Sequence, residues 1–447
     1  MNYVECLKYL EEIQNLGIKF GLDNVRAILA SMNNPHRRYP SILVAGTNGK
    51  GSVCAILTRI LTLHGFRVGL FTSPHLVRVE ERIRIGAELI SVRTFCRLLT
   101  QLKAKIEQLI SSGTLLSPPT YFELLTCLAL TFFEERRVDI TVLEVGMGGR
   151  FDATNVVKPL VTVITTISWE HQKFLGNSLE EIASEKAGII RENIPVVCGV
   201  EAKEAFQTIK RRARELRAPF FGVFENTSSF LARKKRNGYV FEYISEKEKY
   251  RYSPRLAGHH QGKNAALAIV TAERLSEHWM KLEKRKIVQG IETAEWPGRL
   301  EIISSRPLVV LDGAHNEQGA EVLRDYIHDF DLSPVILVYA AMRDKKVENI
   351  ASLLFPLSKK VILTRFPFYK GASPKEIRDR VLGFEDRLVL EPDPRKAFLL
   401  ALQDSSAQDC ILVTGSLYLV GEIKKFFPHG VDPFRKSEKI SPKRTGI

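Results

Sequence analysis

The sequence predicts an α/β protein: a P-loop-containing, mostly parallel-sheet N-terminal domain followed by a smaller, Rossmann-like α/β domain. Three observations carry this reading. Ser41-Ile-Leu-Val-Ala-Gly-Thr-Asn-Gly-Lys-Gly-Ser52 reads as a buried strand, a glycine-rich turn and a helix start. Strand and helix patterns alternate through most of the 447 residues, which argues for a parallel sheet covered on both faces. The turn-rich Trp296-Pro-Gly-Arg299 breaks the chain before a second alternating run. The expected domains are 1–297 and 298–430, with a basic, loose tail over 431–447.

In order, residues 1 to about 32 read as helices. Ile42 to Ala45 form a strand, 46–51 a turn, and Val53, Ile56, Leu57, Ile60 and Leu61 recur at helix spacing until Gly65. The strand from Arg67 ends in Ser73, before a proline that forbids helix. Residues 75–90 read as loop and short strand, and helices follow near 91–111 and 120–136. The next strand, Val138 to Glu144, ends on a carboxylate and meets Gly146, Gly148 and Gly149. Leu160 to Thr166 is a strand leading to Trp169-Glu170-His171, and a helix with Lys186 stops at Gly188. Pro195 to Cys198 is a strand, and 220–256 read as antiparallel hairpins. The second domain starts with the strand Pro307 to Asp312 and a helix opened by Gly-Ala-His-Asn316. Strands near 334–340, 360–364 and 410–414 complete it, without a G-x-G-x-x-G turn.

Composition excludes several classes. Hydrophobic residues at 45% and charged ones at 26% suit a soluble globular protein, and no run approaches the ~18 apolar residues of a membrane span. The N-terminus lacks the basic and apolar regions of a signal peptide. Six scattered cysteines without a C-x-x-C pair suit a reducing compartment, so the expected location is the cytoplasm. The net charge of +14 suits a nucleic-acid binder or an enzyme for polyanionic small molecules. The basic clusters at Lys234-Lys235-Arg236 and beyond Arg435 lack interleaved aromatics, and read as solvated surface.

The turn at 46–52 reads as a phosphate cradle, the plainer reading being a Gly/Asn turn between a strand and a helix. Its glycines let backbone N–H groups approach an anion, the helix start adds positive potential, and Lys50 adds a point charge. The pattern departs from G-x-x-x-x-G-K-[ST]: Gly46 is four residues before Lys50, and Gly51 stands where a hydroxyl residue usually follows the lysine. The hydroxyl of Ser52 would then reach a magnesium ion. Magnesium takes oxygen-rich ligands, so Glu144 is a natural ligand and His171 a less usual one; His171 reads equally as a loop histidine. By default Lys186 is one exposed charge on a helix with Glu–Lys pairs. Asp312, His315 and Asn316 read equally as a helix cap.

Taken together the motifs resemble the folylpolyglutamate synthase/dihydrofolate synthase family of the Mur ligase superfamily. The resemblance runs from about Tyr3 to Gly421. It is carried by V-A-G-T-N-G-K-G-S (Val44–Ser52), S-P-H-L (Ser73–Leu76), T-Y-F-E (Thr120–Glu123), L-E-V-G-M-G-G-R-F-D-A-T-N (Leu143–Asn155) and E-K-A-G-I (Glu185–Ile189). W-P-G-R-L-E (Trp296–Glu301), D-G-A-H-N (Asp312–Asn316), A-M-R-D-K (Ala341–Lys345) and T-G-S-L-Y-L-V-G (Thr414–Gly421) follow.

The resemblance implies an ATP-dependent ligase joining L-glutamate to a folate γ-carboxylate through an acyl phosphate, with dihydropteroate as a second possible acceptor. It implies ATP, two magnesium sites and a monomer, with neither nucleic acid nor membrane as partner. Carried over, Asn48, Gly49, Lys50, Gly51 and Ser52 bind phosphates; Asn264, Arg299, Asp312 and His315 contact the nucleotide. Ser73, Glu144 and His171, with Ser52, bind metal. Lys50, His171 and Lys186 form the catalytic set, Lys186 matching a lysine that the family carbamylates into a metal ligand. In two places the chain departs from the family: Glu170 replaces the usual Asp before the metal histidine, and His259-His260 sit in a variant segment before Asn264. Two other readings are a Mur-type ligase for a different acid, for which 45 residues before Gly46 leave no UDP-sugar domain, and a nucleic-acid-binding P-loop protein.

Overall fold

A computed structural model of the chain describes residues 1–14, 17, 21–226, 229–236 and 238–427. The tail expected over 431–447 lies outside the described residues. The chain divides into two compact units, Met1–Trp296 and Pro297–Ile447.

The first unit opens with helices α1 (Tyr3–Gln14) and α2 (Asp23–Ser31), and then strand β1 (Ser41–Ala45) and helix α3 (Lys50–Leu63). Strands β2 (Val68–Phe71), β3 (Ile83–Ile85) and β4 (Glu88–Leu89) precede helices α4 (Val92–Ser111) and α5 (Tyr121–Glu135). Strand β5 (Ile140–Glu144), strand β6 (Pro159–Ile164), and helices α6 (Gln172–Leu175) and α7 (Leu179–Ala187) follow. Then come strand β7 (Val196–Cys198), helix α8 (Lys203–Glu215) and strand β8 (Phe220–Gly222). Strands β9 (Phe230–Lys235), β10 (Gly238–Ile244) and β11 (Lys249–Tyr252) lead into α9 (His259–His278) and α10 (Lys284–Thr293).

The main sheet has eight strands in the order β4-β3-β2-β5-β1-β6-β7-β8, parallel from β2 to β8. All five residues of β1 are buried, as are all five of β5, because helices cover both faces of a parallel sheet. Each such apolar side chain contributes about 1.5–3 kcal/mol on burial. Strand β1 lies between β5 and β6, where the chain order switches sides, so its carboxyl end is the expected ligand crevice. Residues 220–256 are only partly the hairpins expected. Phe220–Gly222 pairs in parallel with β7, and among the described residues β9, β10 and β11 form a separate antiparallel sheet. Val196–Cys198 is available as a parallel neighbour for so short a run.

The second unit has strands β12 (Glu301–Ser305) and β13 (Leu308–Leu311), helix α11 (Glu317–Asp329), strand β14 (Val335–Tyr339) and helix α12 (Val347–Leu354). Strand β15 (Ser358–Leu363), helix α13 (Pro374–Arg378), strand β16 (Leu388–Leu390), helix α14 (Pro394–Gln403), strand β17 (Cys410–Thr414) and helix α15 (Leu417–Phe426) complete it. Its six-stranded sheet runs β12-β13-β17-β14-β15-β16, parallel except for β12. No helix among the described residues is long and apolar enough to cross a membrane.

Candidate active site

The loop after β1 is held against the end of β6. Thr47 N–H donates to the Thr166 carbonyl at 2.7 Å and Asn48 N–H to Thr166 Oγ1 at 3.0 Å. The hydroxyls of Thr165 and Thr166 donate back to the Asn48 carbonyl at 2.6 and 3.2 Å. Gly46 has φ +144°, and a Cβ there would stand 1.9 Å from Thr165 Oγ1. Gly46→Ala should therefore destabilise the protein by at least about 2 kcal/mol through strain and clash; an unchanged urea midpoint would mean that the loop shifts freely. Gly49 has φ +87° and enters α3 without a capping side chain. The first N–H groups of α3 have no partner within the helix, and they give this end of it a positive polarisation.

The charged groups converge here. Lys50 Nζ donates to the carbonyls of Gly46 and Thr47 at 2.8 and 2.9 Å. Lys186 Nζ donates to the same Gly46 carbonyl at 3.0 Å and to Glu170 Oε1 at 2.5 Å. Lys186, read from sequence as an exposed helical charge, is instead 2% exposed. Asn155 Nδ2 donates to the carbonyls of Arg150 and Gly188, tying the turn after β5 to the end of α7, the helix that carries Lys186. Burial lowers the Lys186 pKa against the opposing pull of Glu170. Burial pushes Glu170 up, but Lys186 and Lys50 outweigh it and bring its pKa down to about 2.

Glu144, at the end of β5, is buried and accepts from Ser73 N–H at 3.1 Å. Asp152 shapes the glycine turn that follows, accepting from the N–H groups of Gly146, Met147 and Thr154. His171, with φ +45°, caps α6 beside Glu170. Among the described residues no three His, Cys, Asp or Glu side chains cluster as a metal site; the expected set has Glu144 and His171, with the hydroxyls of Ser52 and Ser73. Ser52 is buried at the start of α3, where Gln261 Nε2 donates to its hydroxyl at 3.2 Å. Asn264 Nδ2 donates in turn to Gln261 Oε1 at 3.0 Å, and a Cβ on Gly49 would meet Asn264 Oδ1 at 2.5 Å. His259 packs edge-on against Phe230, Tyr239 and Phe241.

Within the second unit, Arg299, Asp312 and His315 are neighbours. Asp312 is buried and accepts from the N–H groups of Leu300 and Ala314, both at 2.8 Å. Burial raises its pKa and Arg299 opposes that rise. His315 Nδ1 lies 2.9 Å from the Gly313 carbonyl, and Asn316 is the N-cap of α11. A cavity of about 720 Å³ opens near the ends of β15 and β16, lined by Arg343, Arg365, Phe366, Phe368 and Glu422 among others.

Sequence reasoning missed Thr165, Thr166 and Gln261. A paired hydroxyl at a strand end, and a Gln three residues before Asn264 on one helical face, were the available signals.

The Mur ligase middle domain matches residues 44–272, and the Mur ligase glutamate ligase domain residues 298–417. The dihydrofolate synthase/folylpolyglutamate synthase of Bacillus subtilis is 36% identical over 95% of this chain and 98% of its own length. A Mycobacterium tuberculosis folylpolyglutamate synthase, solved in complexes with ADP and AMPPCP, is 29% identical with a TM-score of 0.87, covering 97% of this chain and 100% of that one. The bifunctional folylpolyglutamate synthase/dihydrofolate synthase of Yersinia pestis, solved with AMPPNP and a manganese ion, is 29% identical with a TM-score of 0.83, covering 95% and 98%.

Proposed function

The chain belongs to the folylpolyglutamate synthase/dihydrofolate synthase family of the Mur ligase superfamily and is an ATP-dependent ligase, and from that premise we propose how its residues act. The reaction joins the amine of L-glutamate to the γ-carboxylate of a reduced folate, with dihydropteroate as a second acceptor, in the cytoplasm and as a monomer. The observation that carries this reading is the convergence of Lys50 and Lys186 on the Gly46 carbonyl beside an uncapped helix start.

The folate carboxylate oxygen attacks the γ-phosphorus, the bond to the β-phosphate oxygen breaks, and ADP leaves. The glutamate amine then attacks the acyl carbon, phosphate departs, and the ammonium proton is lost. Transfer between anions needs charge neutralisation and in-line placement more than covalent help. The N–H groups at the start of α3 cradle the phosphates, and Lys50 supplies the point charge. Asn48 to Ser52 line the triphosphate, and Asn264, Arg299, Asp312 and His315 contact the nucleotide.

Glu144 suits a hard divalent cation, since its carboxylate is already oriented by Ser73 N–H. Ser52, Ser73, Glu144 and His171 would hold magnesium, which when bound neutralises the phosphate oxygens. Carbamylation of Lys186 by carbon dioxide, which requires its neutral amine and releases one proton, would supply oxygens for a second ion. Burial favours that neutral form.

Phosphate release from ATP tests the reading. Tetrahydrofolate plus glutamate should stimulate release at least tenfold, and dihydropteroate plus glutamate reports the second activity. Stimulation by an oligonucleotide, and by neither acid, would overturn it.

A further inference from the structure

The phosphate turn carries glycine at 51, where the usual pattern has a hydroxyl residue, and the structure gives the reason. A Cβ on Gly51 would stand 2.7 Å from Nε1 of Trp296 and 3.0 and 3.1 Å from two carbons of its ring. The indole fills the space a side chain would need. The guanidinium carbon of Arg84 lies over the same ring, 5.4 Å from its centroid. Arg84 is itself fixed, its Nε donating to the Glu81 carbonyl at 2.9 Å.

The chain reaches this point along α3. On α10, a Cβ on Gly290 would come within 2.9 Å of the Ile60 Cα, so the two helices touch backbone to backbone. One turn later Arg59 Nε donates to Thr293 Oγ1 at 2.9 Å. Trp296 then lies against Gly51. These contacts touch α3 in its C-terminal part, at Arg59 and Ile60, and at its phosphate end, at Gly51, so α10 and its extension brace the helix at both places.

We propose that Trp296 is a positioning residue of the nucleotide site. Its indole fixes the first turn of α3 in the orientation that turns the Ser52 hydroxyl toward Gln261 and leaves the loop N–H groups facing the phosphates. The side chain at 51 is excluded so that the ring can sit there, and the hydroxyl function passes to position 52. The inference rests on the reading that this turn holds the triphosphate.

The test measures the affinity of the full chain for a non-hydrolysable ATP analogue by calorimetry, with magnesium present. Trp296→Ala should weaken binding about tenfold, while Trp296→Phe, which keeps a flat ring on Gly51, stays within about threefold of the parent. Gly51→Ala should weaken binding at least tenfold in the parent and less than threefold further in the Trp296→Ala background, because the clash needs the indole. A merely structural tryptophan predicts additive losses that follow the thermal midpoint. If Trp296→Ala does not fold, the Gly51→Ala cycle with Trp296→Phe carries the same comparison, its penalty shrinking with the smaller ring. Additive losses, or a Trp296→Ala affinity within twofold of the parent, overturn the proposal while leaving nucleotide binding intact. Failure of the parent itself to bind the analogue overturns both readings.

Discussion

Lys50→Met should lower kcat/KM for ATP by about 10³-fold, with little change in the folded state. The ammonium has three protons to donate, and two are given to the carbonyls of Gly46 and Thr47. On the proposed reading the third serves an arriving phosphate oxygen, and the two carbonyl contacts hold the ammonium in place beforehand. Loss of one preorganised donor aimed at developing charge typically costs 10²–10³ in rate, and this donor also carries a full charge in a half-buried site. Stability should change far less. The Gly46 carbonyl keeps its bond from Lys186, and two hydrogen bonds between a flexible chain and a loop contribute about 1–3 kcal/mol. Lys50→Arg should not rescue, because the larger, rigidly planar guanidinium does not replace a compact point charge seated between two carbonyls of one tight turn. Steady-state phosphate release and a urea midpoint for each variant check both halves. Turnover within tenfold of the parent would remove Lys50 from the reaction.

The parts legible in the sequence are those whose information is local. Strand, glycine turn and helix lie within Ser41–Leu63, and burial of every residue of β1 follows from an unbroken apolar run. Thr120 and Glu123 form a capping box at the start of α5, again within four residues. The short strand Phe220–Gly222 was misread because its partner, β7, is set by the tertiary fold; three residues carry no period to tell parallel from antiparallel. Lys186 was misread for a stronger reason. Its helix has the charge pattern of a solvated face, and the carbonyl that receives it is 140 residues away. The ring of Trp296 against Gly51 is equally non-local: the sequence showed an anomaly at 51, but the residue responsible could be found only in three dimensions.

Glu170→Gln should destabilise the protein by about 3–5 kcal/mol, the usual consequence of leaving one member of a buried ion pair without the other. Lys186 is 2% exposed and Glu170 about 10%, so water cannot replace the lost carboxylate. A glutamine keeps the length that lets position 170 reach Lys186, so the comparison isolates charge. The double variant Glu170→Gln/Lys186→Met should recover most of the loss, since a neutral pair buries no charge. The pH dependence has a defined sign. The folded pKa of Glu170 lies below its ordinary 4.5, at about 2, so its contribution is complete above about pH 4.5 and fades as pH falls toward 2. Urea midpoints of the parent should decline over that window more steeply than those of Glu170→Gln. The lysine acts the other way: burial disfavours its charge, so at neutral pH its ammonium is a cost that the carboxylate offsets. Glu170→Gln should therefore push Lys186 further toward the neutral amine, the form that reacts with carbon dioxide. Intact-mass spectra under bicarbonate should show more of a carbon dioxide adduct in Glu170→Gln than in the parent, and none in Lys186→Ala, whose lost turnover short carboxylic acids should partly restore. Equal midpoints for Glu170→Gln and the parent at pH 7 would show that water reaches this pair, and the charge cluster beside the phosphate turn would then be far weaker than its geometry indicates.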